Sequence, residues 1–207
     1  MKTTRSLQWL LFFALLVTGA VIANSAGHAA DSPPLAKATL AGGCFWCMEE
    51  AFEGVAGVVS VTSGYMGGLK ANPSYEDVSA GGTGHAESVE VVYDPRKISY
   101  SKLLEIFWRN IDPTTPDRQF CDRGNQYRSA IFYHDNEQKR QAEESTQAVE
   151  KSKPFKEPIV TQIVPASAFY AAEGYHQDFY KKNPIRYKFY KYNCGRAQRL
   201  EELWGKS

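Results

Sequence analysis

The chain has no surplus of either charge: 24 Lys+Arg stand against 23 Asp+Glu, a net +1, and the basic residues are scattered. A DNA- or RNA-binding face is thereby excluded, because such faces depend on clustered cations. No internal repeat or low-complexity tract is present. With 43% hydrophobic and 23% charged residues among 207, the disordered, collagen-like and coiled-coil classes are excluded as well. Cysteine is scarce, four residues in all, too few for a scaffold built on disulfides. Beyond residue 30 no apolar run approaches the roughly 20 residues of a membrane-spanning helix. One globular domain with one core is what remains.

What is present begins with a leader pattern. Lys2 and Arg5 precede a nearly unbroken apolar stretch over 7–23, and Ser25, Ala26, Gly27, Ala29 and Ala30 follow with no acid before Asp31. This predicts a secretory signal peptide over 1–30, cut near 29–30; an uncleaved N-terminal membrane anchor is the other reading. No Cys lies in or beside the segment, so a lipid anchor is not indicated. The expected product is exported, periplasmic or secreted, with 31–36 a flexible lead-in and 37–207 a single domain that includes a C-terminal tail with Cys194.

Apolar patterning predicts strands over 37–40, 58–65, 88–93, 127–133 and 158–164. Helices are predicted over 44–52, 99–110, 136–152 and 169–181, and Leu200 and Trp204 stand four apart in the closing segment 194–204. Leu103, Leu104, Phe107 and Ile111 share one helical face and read as core. Asp135 and Gln138 have capping-box spacing before the third helix. The stretches up to Gly84 and over 112–126 lack periodicity, which at such lengths points to function or disorder. The second and third strands are adjacent, so strict strand-helix alternation fails and an α+β fold, a two-layer sandwich of a mixed sheet with helices packed on it, fits best.

The most informative segment is Gly42-Gly43-Cys44-Phe45-Trp46-Cys47. The glycines allow a sharp turn from strand into helix, which leaves Cys44 among unpaired N–H groups at the positive end of the helix dipole. Such a position is expected to lower a thiol from its free pKa near ~8.5 and make it a nucleophile. The C-x-x-C pair admits three readings: a thioredoxin-like redox motif, half a zinc site, or a nucleophile with a resolving thiol. Zinc lacks its second pair, because Cys121 and Cys194 form no C-x-x-C. Thioredoxin-type motifs hold small residues or Pro between the cysteines, whereas Phe45 and Trp46 look like walls of an apolar pocket.

Six ordered segments, Gly43-Cys44-Phe45-Trp46, Gly64-Tyr65-Met66-Gly67-Gly68, Asn72-Pro73-Ser74-Tyr75, Gly84-His85-Ala86-Glu87, Tyr93-Asp94-Pro95 and Gln126-Tyr127-Arg128-Ser129-Ala130, make the chain from about Leu40 onward resemble the peptide methionine sulfoxide reductase A family. The resemblance implies a two-layer α/β fold with a ferredoxin-like core and reduction of the S-epimer of methionine sulfoxide, free or in proteins. It implies Cys44 as the nucleophile, Glu87 as the acid, Tyr75 and Tyr127 as hydrogen-bond donors to the departing oxygen, and Asp122 as support. Phe45 and Trp46 are implied as the substrate-methyl pocket, and His85 and His176 as structural support. No metal or organic cofactor is implied; the electrons come from thiols, by way of a thioredoxin-like donor that, for an exported protein, must act outside the cytoplasm. A sulfenic acid on Cys44 needs a second thiol to resolve it. Cys194 in the tail is preferred, Cys47 comes next and Cys121 last. The other functional reading is an exported C-x-x-C disulfide oxidoreductase acting directly on protein thiols; it predicts activity that survives loss of Glu87 and Tyr75.

Overall fold

The computed structural model describes residues 34–206. The expected leader, and the lead-in up to residue 33, lie outside the described residues. The elements are β1 (Ala36–Gly42), α1 (Phe45–Phe52), β2 (Val58–Met66), α2 (Tyr75–Ser79), β3 (Ala86–Tyr93), α3 (Tyr100–Arg109), β4 (Arg118–Gln119), β5 (Asp122–Arg123), β6 (Ser129–Tyr133), α4 (Asn136–Ser152), β7 (Gln162–Pro165), β8 (Tyr170–Ala171), α5 (Phe179–Lys182), α6 (Pro184–Asn193) and α7 (Arg196–Trp204), with one 3-10 turn at Asn125–Tyr127.

Six strands form one sheet in the order β7-β6-β1-β3-β2-β8, and β4 and β5 make a separate ribbon. β1 pairs antiparallel with β3 and β6, β2 antiparallel with β3 and β8, and β7 joins β6 in parallel. The path β1-α1-β2-β3-α3-β6 with the spatial order β6-β1-β3-β2 is the ferredoxin-like arrangement. The mixed sheet and packed helices agree with the α+β reading.

β1 runs through the middle of the sheet, which is why Ala38, Leu40 and Ala41 are fully buried despite facing both ways. Leu103, Leu104, Phe107 and Ile111 pack with Leu40, Phe52 and Val89 in the main core. The Ser99 side chain caps α3 by accepting the Lys102 N–H. Asp135 accepts the Gln138 N–H at 2.8 Å to open α4. Gln138 does not return the bond in capping-box fashion: it accepts from the His134 N–H and donates to the Lys37 carbonyl, which ties α4 to β1.

One predicted element is replaced, and two helices stand where none was predicted. Residues 169–181 are not one helix. Tyr170 and Ala171 pair with Tyr65 and Gly64 as an edge strand, and Asp178 sits at φ +54 before α5. The irregular stretch between is fastened by the Gln177 amide, which bonds the Ser63 N–H and the Ser63 and Ala172 carbonyls. Inside the glycine-rich loop, Ser74 and Asp77 form a reciprocal capping box that starts α2. The helix α6 has Pro184 in its first turn, where a missing N–H costs nothing.

Candidate active site

β1 ends at Gly42, and Gly43, at φ +80, swings the chain into α1. A Cβ on Gly43 would stand 2.4 Å from Cβ of Gln119, so no side chain fits the turn. Cys44 becomes the N-cap of α1 without a capping bond of its own. Cys47 follows at the third helical position, the spacing at which cap and first-turn side chains meet, and the two thiols are hydrogen-bonded.

β3 starts at Ala86, before the predicted strand, so Glu87 lies inside the sheet opposite Tyr65. Its Oε2 accepts the Phe45 N–H at 3.0 Å. Tyr75 opens α2, held by its N–H to Glu173 Oε1 at 2.8 Å, while the Tyr65 hydroxyl donates to Glu173 Oε2 at 3.0 Å. Tyr127 ends the 3-10 turn rather than beginning β6, and Asp122 comes from the β4–β5 ribbon. A cavity of about 70 Å³ is lined by Cys44, Phe45, Trp46, Tyr75, Glu87, Asp122, Tyr127 and Tyr190. Seven of these eight are residues singled out in the sequence; Tyr190 of α6 is not. A wider hollow, of about 1140 Å³ along α1, α3 and α7, reaches Cys47 but not Cys44.

Burial sets the charges. Glu87 is pushed up to about 8 by loss of hydration and by the negative groups around it, against the pull of the Phe45 N–H. It therefore holds its proton at neutral pH. The expected lowering of Cys44 is not what the closed pocket gives. At 5% exposure, burial raises the Cys44 thiol well above its ordinary value; Cys47 and Glu87 add to this, while the Tyr190 hydroxyl pulls the other way. Lost hydration outweighs the helix dipole here. Cys47 is held down at about 6 by the hydrogen bond from Cys44 and, against its own burial, by the charges of Arg196 and Lys191 and by the Tyr187 hydroxyl.

The aromatic wall is braced from behind. Trp46 stacks on Phe179 at 3.8 Å and meets Tyr190 edge-on at 5.8 Å. Its indole N–H donates to Nδ1 of His176 at 3.2 Å. Burial lowers the His176 pKa, so the ring is the neutral acceptor this bond requires. His85 accepts the Gly68 N–H on Nδ1 and meets the Lys70 carbonyl through Nε2 at 2.8 Å, which pins the loop after β2. Cys194 is bonded to Cys121 in a disulfide, not placed against Cys44. α6 and the ribbon bring these two sulfurs together, and the Tyr190 hydroxyl donates to Asp122 Oδ2 at 2.5 Å beside them. Cys121, Asp122 and Cys194 form the one group of metal-type donors among the described residues, and the bond between its sulfurs leaves it no thiolate.

A family model described as "Peptide methionine sulfoxide reductase" matches residues 36–207. The chain belongs to this family. Peptide methionine sulfoxide reductase MsrA of Bacillus subtilis (strain 168) is 53% identical over 168 residues, 81% of this chain and 95% of that protein. Mxr1 from Saccharomyces cerevisiae in reduced form superposes with a TM-score of 0.69 at 33% identity, over 73% of this chain and 87% of that one. Methionine sulfoxide reductase A of Corynebacterium diphtheriae gives 0.67 at 35% identity, over 75% and 78%. As a peptide methionine sulfoxide reductase the chain is an oxidoreductase, and the fold expected from the resemblance is the fold observed.

Sequence reading passed over three side chains of this reductase. Tyr190 reaches the cavity from a helix whose only sequence signal is Pro184. Glu173 positions Tyr75 and Tyr65 from the segment predicted as helix. Arg196, next to Gly195, is a buried cation in a closing segment read only for Cys194, Leu200 and Trp204.

Proposed function

We propose that the cavity reduces the S-epimer of methionine sulfoxide, free or in proteins, with Cys44 as the attacking sulfur and Glu87 as the acid. The observation that carries this reading is a buried carboxyl, Glu87, and a buried thiol, Cys44, on the wall of one cavity, beside three tyrosines and the rings of Phe45 and Trp46. A water-sized group needs ~10–15 Å³, so about 70 Å³ admits the CH₃–S(O)–CH₂ end of a side chain and leaves its backbone outside. That suits a substrate that is part of a protein. Phe45 and Trp46 take the methyl group, and the hydroxyls of Tyr75 and Tyr127 donate to the sulfoxide oxygen.

Glu87 gives its proton to that oxygen as the Cys44 sulfur forms a bond to the sulfoxide sulfur, and the Cys44 thiol proton passes to the Glu87 carboxylate. Methionine leaves and the oxygen stays as the Cys44 sulfenic acid. Asp122, held by Tyr190, fixes the far side of the cavity. A second thiol then resolves the sulfenic acid to a disulfide. For the return to thiols we propose a thioredoxin-like donor: Mxr1 has been solved in complex with Trx2, at a TM-score of 0.50 and 25% identity to this chain. Thiol electrons suffice for the whole cycle. The leader pattern of residues 1–30 supports export of a single catalytic domain over 37–207, and an exported enzyme needs a donor outside the cytoplasm.

A single-turnover assay tests the reading. Reduced protein without added reductant is mixed with excess S-methionine sulfoxide, and methionine formed and thiols lost are counted beside Cys44→Ser. About one methionine per protein and two thiols lost, with none from the variant, is expected. No methionine from folded, reduced protein overturns it in favour of the disulfide oxidoreductase.

A further inference from the structure

The far wall of the cavity is assembled from two pieces that share no regular element. Asp122 comes from the β4–β5 ribbon, two residues a side, joined by the turn Phe120-Cys121. A two-stranded ribbon is marginal by itself, and this one carries Asp117 at φ +48 and Phe120 at φ +56. Left-handed side-chain residues persist only where their surroundings fix them. Tyr190 comes from α6, which is fastened to α1 through Glu50, the acceptor of the Tyr187 hydroxyl at 2.6 Å and of Lys191 at 2.5 Å. Two bonds join helix and ribbon. One is the hydrogen bond from the Tyr190 hydroxyl to Asp122 Oδ2. The other is covalent: Cys121 directly precedes Asp122, Cys194 lies one turn beyond Tyr190 with its N–H on the Tyr190 carbonyl at 2.9 Å, and the two sulfurs are joined. Both carboxylate oxygens of Asp122 lie against this disulfide, Oδ1 3.6 Å from the Cys121 sulfur and Oδ2 4.0 Å from the Cys194 sulfur.

We propose that Cys121 and Cys194 are positioning residues for sulfoxide reduction: their disulfide clasps α6 to the ribbon, holds Tyr190 and Asp122 in the cavity wall, and lowers the rate when a dithiol opens it. This rests on the reductase reading of the cavity. Cys194 also lines a second hollow, of about 350 Å³, with Arg118 and Arg199; it shares no lining residue with the catalytic cavity, so a thiol reaches the clasp without competing with substrate. One thiolate of the dithiol attacks the Cys194 sulfur, and Cys121 leaves as a thiolate. The second thiolate then displaces Cys194 from the mixed disulfide. The dithiol is oxidised to its own disulfide, and the two cysteines become thiols that take up its two protons. Closed, the clasp keeps the Tyr190 hydroxyl on Cys44, whose thiol it pulls down. It also keeps the charge of Asp122 near Glu87. Glu87 faces Cys44, Cys47, Tyr65, Tyr75, Tyr127 and Asp122, and of these Asp122 is the one bound to the clasp.

The test compares one protein in two states, both verified by peptide mapping. In the closed state Cys44 and Cys47 are thiols and Cys121 is bonded to Cys194; in the open state dithiothreitol has reduced all four and has been removed without air. The rate of the first methionine from subsaturating S-methionine sulfoxide is followed against pH, in wild-type protein and in Tyr190→Phe. Opening is expected to slow wild-type protein about 2- to 10-fold, the worth of one hydrogen bond. It should also move the alkaline limb of the rate to lower pH, because Asp122 no longer helps to raise Glu87. In Tyr190→Phe, where the hydroxyl is already gone, opening should cost less than about twofold. The double change Cys121→Ser with Cys194→Ser should match the open wild-type protein in rate and in limb. Equal rates and limbs in the two states, or the same fold loss in Tyr190→Phe as in wild type, overturn the inference. So does loss of helical circular dichroism on opening, which makes the bond a tie of the fold alone. In each of these cases the closed protein still forms methionine and the reductase reading stands; no methionine from closed, reduced protein overturns both.

Discussion

The two cysteine pairs of this reductase are built on opposite plans. Cys44 and Cys47 stand three apart on one helical turn, buried, as thiols. Their neighbours are an acid, an arginine and tyrosine hydroxyls. Cys121 and Cys194 stand 73 residues apart, nearer the surface, and are already bonded. Where sequence alone brings two sulfurs together, closing the bond constrains the chain little and the pair is free to cycle. Where only the fold brings them together, the bond restrains the unfolded chain and acts as a tie. A shared residue type thus says less than the length of chain between the pair.

The contrast can be broken at either pair. Cys44→Ser should remove methionine formation by a factor on the order of 10⁴ or more in a single-turnover assay. The double change Cys121→Ser with Cys194→Ser should keep one methionine per protein; loss of that burst would erase the contrast. Next in size is Glu87→Gln, which cannot give a proton and should lower kcat/KM by about 10² to 10⁴. Glu87 is held up at about 8, so its acid form is complete below that value and is lost as pH rises through it. The wild-type rate should fall on the alkaline side near pH 8, and the variant should lack that limb. Loss of the Cys121–Cys194 tie removes about 4 kcal/mol of chain-entropy stabilisation for a loop of this length. The melting temperature read by calorimetry should drop on the order of 10 °C. The smallest effect is expected from Tyr190→Phe, which deletes one hydroxyl shared by Asp122 and Cys44. It should cost about 2- to 10-fold in kcat/KM, with Tm almost unchanged.

Legibility followed periodicity. The core face of α3 stands where the apolar pattern puts it, because a helix with one buried face writes that face into its sequence, and the helix over 136–152 stands where its cap and its polar run put it. The segment 169–181 misled because its residues are held by side-chain bonds to the edge of β2, from Gln177 above all, which no period records. α6 escaped notice because its exposed face carries Ile185, Phe189 and Tyr192, and this blurs an amphipathic pattern. The six motifs contain six of the eight cavity residues, and the family resemblance added Asp122. Glu87 alone would have passed for a surface acid; only pairing within β3 shows it to be enclosed. Tyr190 and Arg196 required the tail to fold back over α1. The protonation of Cys44 depended on burial, a tertiary property that a helix N-terminus in the sequence does not reveal.

The order in which the sulfurs meet during folding has a further consequence. Cys121 and Cys194 approach only after α6 has docked on the β4–β5 ribbon, and closure across 73 residues is entropically slow. Cys44 and Cys47 meet as soon as one turn of α1 forms. Where oxidant is present during synthesis, the short bond therefore closes first. The long bond then marks a finished molecule, and the Cys121–Cys194 pair becomes a tally of completed chains that mass spectrometry can read one by one.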